Sequence, residues 1–269
     1  LYNTMLQKNI IKAAKILFEH KLNRTGLEQL DSNCKPRTIE DAYLIQEELK
    51  INYLTLSNNN CLGKKVGCTN IQAQQQVGIN EPFYGNLFTR FSSDNNVTLK
   101  SKNFFQPWVE PEIGIRIRED INIAKAPFSL NDINDLFDGI VCSIEIVDFR
   151  FTHSIDKIGI NNLISTNGAS DYWIKGTNIF SLDSVDLDDH PVFLRINDDI
   201  VAKGNTKNVL KNPFNSALWL INLLAEKGEI MLKGQYISTG SCTKAVKIEN
   251  QQNIKADFGS LGIIEFQYI

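Results

Sequence analysis

Two stretches of the chain alternate with a period of two, and both carry glutamates. In Val109-Glu110-Pro111-Glu112-Ile113-Gly114-Ile115-Arg116-Ile117, that period puts Val109, Ile113, Ile115 and Ile117 on one face. Glu110 and Glu112 fall on the other. In the second run, from Val141 to Phe151, Glu145 shares a face with Val141, Val147, Phe149 and Phe151. Both runs predict strands. Elsewhere the spacing is helical. Ile10, Ala13, Ala14, Leu17 and Phe18 predict a first helix. Ala42, Ile45 and Leu49 predict a second, capped by Thr38 with help from the charge of Asp41. Residues 21–37 between them read as a polar connection.

From about residue 60 the pattern shortens to strands. A strand is predicted over 62–69, then a short helix capped by Asn70 and stopped by Gly78. Residues 81–85 read as a turn, 92–96 as a polar loop, and 129–139 as a capped helix with a glycine stop. A hairpin is predicted from 192–196 to 200–203 around Asn197-Asp198-Asp199. Asn212 and Pro213 open a helix whose buried stripe is Phe214, Ala217, Leu218, Ile221 and Leu224. Lys227 and Gly228 close it. Strands over 236–240, 246–248 and 263–268 end the chain. The sum is an α+β protein: an N-terminal helical segment (1–60), then a domain (61–269) built on a mixed or rolled-up sheet.

Composition narrows the function classes. With 42% hydrophobic and 22% charged residues the chain is an ordinary globular protein. A net charge of −3 gives no basic footprint, which argues against a nucleic-acid partner. The five cysteines are scattered with no C-x-x-C pair, as expected of reduced thiols in the cytoplasm. No run approaches the roughly 18 apolar residues of a membrane span, and no signal-peptide apolar stretch opens the chain. The expectation is a cytoplasmic protein with no membrane partner.

The glutamates carry the chemistry. Like carboxylates on one strand face repel, and a lone charge among apolar neighbours is costly unless something opposite pairs with it. Glu110, Glu112 and Glu145 together would make an oxygen-ligand set suited to Mg²⁺ or Mn²⁺. The competing reading is surface carboxylates paired with Arg116 or Arg150. A lysine pair such as Lys64-Lys65 ordinarily marks a solvated face. If Lys65 turns inward with Gly63 and Gly67, its ammonium could act as a general acid or hold an anion. Ser238 and Thr239, at a strand end before Gly240, are candidates for binding a substrate carboxylate, against the plainer reading of a simple turn. Cys68 and Cys142 read as small core residues, since none of the three histidines is placed to activate them.

Five segments, in order, give a resemblance. Residues 37–46 resemble the helix that precedes the catalytic domain in the 2-keto-4-pentenoate hydratase and 4-oxalocrotonate decarboxylase branch of the fumarylacetoacetate hydrolase superfamily. Gly63-Lys64-Lys65-Val66-Gly67-Cys68-Thr69 is similar to its G-x-K-x-G-x-T segment. Gln106-Pro107-Trp108-Val109-Glu110-Pro111-Glu112 matches Q-P-x-x-E-x-E. Glu145-Ile146-Val147-Asp148-Phe149-Arg150 matches E-I-V-D-S-R, and the helix from Asn212 matches N-P-x-N-A-x-x-W-L. The resemblance implies a rolled mixed sheet with an N-terminal helical part and a homo-oligomer. It also implies a divalent metal on Glu110, Glu112 and Glu145, a catalytic Lys65, and a small 2-oxo or 2-hydroxydienoic acid as substrate. Two positions depart from the pattern. Phe83 stands where family hydratases carry an aspartate, as in decarboxylase members with an apolar residue there, and Thr166 stands where aspartate is expected. Glu81 is the nearby carboxylate that could replace the missing one. The expectation is a hydratase-like lyase. A decarboxylase is the alternative, and a catalytically silent homologue kept as a binding protein is the second alternative.

Overall fold

The computed structural model describes residues 5–269, so the first four residues of the expected 1–60 segment lie outside it. Helix α1 (Gln7–Asn23) buries Ile10, Ala13, Ala14 and Leu17, and runs into the start of the expected connection to bury Lys21 as well. Helix α2 (Ile39–Leu54) starts as its cap predicts, with the Asp41 N–H donating to Thr38 Oγ1 at 3.1 Å. The two helices share a core with Phe83, Phe88, Phe149 and Phe151. That shared core seats the N-terminal helices against one wall of the site described below.

Strand β1 (Cys61–Gly67) leads through α3 (Ile71–Val77), ended by left-handed Gly78, to β2 (Phe83–Phe88). Short strands β3 (Ser92–Asp94) and β4 (Val97–Leu99) precede the glutamate strand β5 (Trp108–Ile117). After α4 (Ile133–Leu136) come β6 (Phe137–Val147), α5 (Ile155–Ile158), α6 (Ile160–Ser165) and β7 (Ser170–Lys175). The rest is the hairpin β8 (Pro191–Ile196) and β9 (Asp199–Asn205), helix α7 (Pro213–Glu226), β10 (Tyr236–Ser241), β11 (Val246–Lys247), β12 (Gln252–Asp257) and β13 (Ile263–Tyr268).

The strands form two sheets. The larger runs β2-β1-β10-β5-β6-β7-β3, with β11 beside β5. It is mixed, because β1 pairs parallel with β10 and β3 with β7 while the other pairs are antiparallel. The smaller runs β4-β13-β12-β8-β9. Ile113, Ile115 and Ile117 of β5, as their alternation predicts, join Ile140, Ile144 and Ile146 of β6 in the main core. There they meet Leu194, Ile254 and Phe266 of the second sheet and the apolar stripe of α7. The architecture is the expected α+β arrangement: a helical N-terminal part and a curled mixed sheet. Among the described residues no helix is long and apolar enough to cross a membrane.

Several local expectations are corrected. Residues 83–85 are not a turn but the start of β2, whose six residues are all buried, so no alternation marks it. The helix expected over 129–139 shrinks to a capped turn and the four-residue α4, and Gly139 lies inside β6 rather than stopping a helix. A Cβ at Gly139 would press on Ile179 and the Phe180 carbonyl. Part of the polar stretch 92–96 forms edge strand β3, and strands β7 and β12 were not foreseen. The hairpin turn is as read, with Asn197 and Asp198 both left-handed.

Candidate active site

Strand pairing assembles the site. Glu110 lies directly opposite Glu145 in the β5–β6 ladder, with Glu112 opposite Ser143. Trp173 of β7 is the next partner of Glu145. On the other side, β10 sets Ser238 against Gly114 and β1 sets Lys65 against Ser238. One face of the large sheet therefore carries three carboxylates, a lysine, a serine and a tryptophan. Ligand oxygens of Glu110, Glu112 and Glu145 all lie within 4.8 Å of one another. Glu110 is half-buried, and Glu112 and Glu145 are buried. At an effective dielectric of about 20, each like-charge pair at that range costs at least about 3 kcal/mol.

Lys65 answers part of that repulsion. It is 2% exposed, and its Nζ donates to Glu145 Oε2 at 2.9 Å. Burial works against the ammonium, but Glu145, Glu110 and Glu112 together outweigh it and hold its pKa above the usual lysine range. Burial, with Glu145 nearby, pushes Glu110 up to about 7. Burial and the charges of Glu145 and Glu110 raise Glu112 well above the carboxylate range. Three carboxylates against one ammonium leave an excess of two negative charges when all are ionised. Protons take up that excess, or a divalent cation does.

The surroundings fix individual oxygens. Ser238 Oγ donates to Glu112 Oε2 at 2.6 Å and accepts from Trp173 Nε1 at 2.8 Å. The Gly240 N–H, at φ +112, donates to the same Glu112 oxygen at 3.2 Å. Gly114 makes room for the relay, since a Cβ there would meet Val141 and the Trp173 ring. Glu145 Oε1, by contrast, is buried with no hydrogen-bond partner. An orphaned carboxylate oxygen beside two further carboxylates is a donor set that fits a hard divalent cation.

The remaining expected residues fall in different places. Phe83, 4% exposed and opposite Gly67 in the β1–β2 ladder, sets its ring 5.6 Å from Lys65 Nζ. Glu81 is exposed in the bend before β2, and its charge is felt by Tyr43 on α2, whose hydroxyl burial and Glu81 both make harder to ionise. Thr239 does not join Ser238: its hydroxyl donates to the Ile113 carbonyl at 2.8 Å, and its own carbonyl accepts from Ser216 of α7. Lys64 is not on a solvated face. It is buried beside Ile237 on the opposite side of the sheet, bonded to Asn86 Oδ1 at 3.1 Å and paired with Glu229 at 3.5 Å. Cys68 is half-buried, and burial pushes its thiol up to about 11, so it stays protonated. Thr166 spends its hydroxyl on the Leu163 carbonyl. Trp173 is a residue of this cluster that the sequence did not single out, and the Gly240 N–H, in the stretch expected to bind a substrate carboxylate, holds Glu112 instead.

No protein-family model matches the chain. Among known proteins, a 4-oxalocrotonate decarboxylase of Pseudomonas putida is 26% identical, covering 99% of this chain and 99% of that protein. A 2-keto-4-pentenoate hydratase of Burkholderia vietnamiensis is 24% identical, covering 95% and 96%. Among solved structures, 4-oxalocrotonate decarboxylase from Pseudomonas putida G7, complexed with magnesium and adipate, matches with a TM-score of 0.91 at 27% identity. The match covers 99% of this chain and 100% of that one. Fumarylpyruvate hydrolase from Pseudomonas aeruginosa, in complex with Mn²⁺ and pyruvate, shares the fold at a TM-score of 0.61 and 10% identity, covering 77% and 88%.

Proposed function

Because this chain belongs to the branch of the fumarylacetoacetate hydrolase superfamily that holds the 4-oxalocrotonate decarboxylases and 2-keto-4-pentenoate hydratases, we propose that it is a metal-dependent lyase. Its substrate would be a small 2-oxo or 2-hydroxydienoic acid. Glu110, Glu112 and Glu145 would hold Mg²⁺ or Mn²⁺, which when bound supplies Lewis-acid stabilisation of negative charge developing on the substrate's 2-oxygen. The orphaned Glu145 oxygen among three close carboxylates is the observation that carries this assignment.

The protein's own groups do the rest. Lys65, whose Nζ donates to Glu145 at 2.9 Å, is the proton carrier beside the carboxylates. From Glu145 it can turn to an electron-rich substrate carbon and deliver a proton there. Ser238 holds Glu112 from behind, leaving the outer edge of the cluster to the substrate. Phe83 lines the lysine's other side with an apolar wall, which keeps water away from that flank.

That wall is our ground for preferring one of the two activities. Adding water to a diene needs a group beside the substrate to accept a proton from water, and an aromatic ring cannot do so. Loss of CO₂ needs only an electron sink and, afterwards, a proton on carbon. The buried side of the site offers Lys65 for that proton and Phe83 for the wall, so carboxy-lyase activity is the reading the geometry favours. Hydration is the second reading, with exposed Glu81 as the group that would have to supply the missing base. Incubation with 2-oxo diacids and with 2-hydroxydienoates, each with Mg²⁺ or Mn²⁺, tests both. CO₂ release with little hydration is the expected result. Turnover of neither substrate class with either metal, by folded protein, would sink the proposal and favour a silent, binding-only homologue.

A further inference from the structure

The end of the β5–β6 ladder nearest the carboxylates is closed by two side chains, one from each strand's continuation. Asp148, three residues beyond Glu145, accepts from the Phe105 N–H through Oδ2 at 2.7 Å and from the Gln106 N–H through Oδ1 at 2.9 Å. Gln106, four residues before Glu110, sends Nε2 back to the carbonyls of Phe149 and Phe151, both at 2.9 Å. Four hydrogen bonds thus cross between the chains beyond the Trp108–Val147 pair, the last of the ladder at that end. Asp148 is 2% exposed, and its charge is met by Arg150, which donates to Oδ2 at 2.8 Å. The Asp148 N–H donates to the Ala169 carbonyl at 2.9 Å, the end of the left-handed turn Asn167–Ala169. Gly168 of that turn packs against Lys65 and Phe83.

Ladder ends are where strands separate first. Here the third pair from the end sets Glu110 opposite Glu145, two like charges that push the strands apart. Trp108, the residue nearest the end on that face, is 42% exposed and adds little packing to resist the push. At that end of the ladder the bracket of Asp148 and Gln106 opposes it, in addition to Lys65 and the ladder itself. The same aspartate, through Ala169, ties the turn over Lys65 to the same frame.

We propose that Asp148, with Gln106, is a positioning residue: it sets the separation of Glu110 and Glu145 and so the affinity of the site for a divalent cation. The proposal rests on the reading of Glu110, Glu112 and Glu145 as that cation's ligands. Calorimetric titration with Mn²⁺, alongside thermal melts with and without Mn²⁺, tests it on wild type, Glu110→Gln, Asp148→Asn and Gln106→Leu. Asp148→Asn keeps the shape but loses one acceptor and the charge facing Arg150. Gln106→Leu keeps the volume but loses both cross-strand bonds. Each should bind Mn²⁺ roughly tenfold or more weakly although all three carboxylates remain, and Mn²⁺ should raise its melting temperature less than it raises that of wild type. Equal losses of melting temperature with and without Mn²⁺, at unchanged Kd, mean a merely structural bracket and overturn the proposal. If wild type itself does not bind Mn²⁺, or Glu110→Gln binds it as well as wild type does, the cation reading falls and the proposal with it. Should Asp148→Asn fail to fold, half-buried Gln106→Leu decides the matter alone.

Discussion

Stripped of metal, the protein should lose stability as pH rises through neutrality, and Glu110→Gln should abolish much of that loss. Glu110 titrates at 4.5 when free and at about 7 in the metal-free fold, raised chiefly by burial. Between those values the folded chain binds more protons than the unfolded one, so unfolding becomes easier as pH climbs. The advantage is full below pH 4.5 and gone once pH passes through about 7. At about 1.4 kcal/mol per pH unit, the gap amounts to an upper figure of roughly 3 kcal/mol, reduced by the solvent that reaches half-buried Glu110. Urea unfolding in chelator at pH 5, 6, 7 and 8 would measure it. Wild type should fall by a few kcal/mol relative to Glu110→Gln across that range, the variant ending as the more stable at pH 8. Groups outside the cluster cancel in the comparison, whereas Glu112, raised in part by the Glu110 charge, contributes to the difference. Adding Mg²⁺ at about a hundred times its Kd should restore roughly 2.7 kcal/mol to wild type alone. Parallel pH profiles for the two proteins in chelator would refute the reasoning.

Other perturbations address the lysines, the aromatic wall and the indole. Lys65→Met should cut turnover by a factor of roughly 10² or more. Lys64→Met, on the far face with Asn86 and Glu229, should lower the melting temperature yet leave turnover within a few-fold; an exchange of these two behaviours in assays of the purified variants would count against the site. Glu81→Gln should leave decarboxylation almost unchanged, and Phe83→Asp should raise hydration relative to decarboxylation. Strong hydration by both wild type and Glu81→Gln would defeat the argument from the aromatic wall. Trp173→Phe keeps an aromatic ring, though a smaller one, and removes the N–H that Ser238 accepts; it should weaken Mn²⁺ binding by roughly tenfold in a direct titration, and an unchanged Kd would leave the indole a packing residue only.

The β5 strand was legible because one face had to hide Val109, Ile113, Ile115 and Ile117, which fixed where Glu110 and Glu112 pointed, while Glu145 stood out as a lone charge among apolar neighbours. That Glu110 faces Glu145 was not legible, since register belongs to the pairing of two strands distant in sequence. Alternation could have been pushed further. Applied to Ser238 and Thr239, it sends their side chains to opposite sides of β10, as the structure does. Lys64 read as solvated because its partners, Asn86 of β2 and Glu229 just beyond α7, are distant in sequence, and nothing local announces them. Strand β7 was missed because Asp171 and Tyr172 dilute a short run whose burial comes from its place between β6 and the edge strand β3. With it went Trp173, and so the link from the indole through Ser238 to Glu112. Phe83 was flagged by its mismatch to a family pattern, yet its place in a wholly buried strand came only from the fold.

The Trp173 indole also gives the molecule an optical reporter of its own. Of the three tryptophans, Trp108 is 42% exposed and Trp219 half-buried, while Trp173 is fully enclosed. The shortest-wavelength part of the emission therefore belongs to Trp173. Its N–H stands one hydroxyl away from a carboxylate oxygen of Glu112. When that carboxylate gains a proton or a cation, the field along the indole changes, and emission colour and yield change with it. Intrinsic fluorescence during metal titration of the unlabelled protein, compared with that of Trp108→Phe, should report occupancy of the carboxylates before any substrate is known.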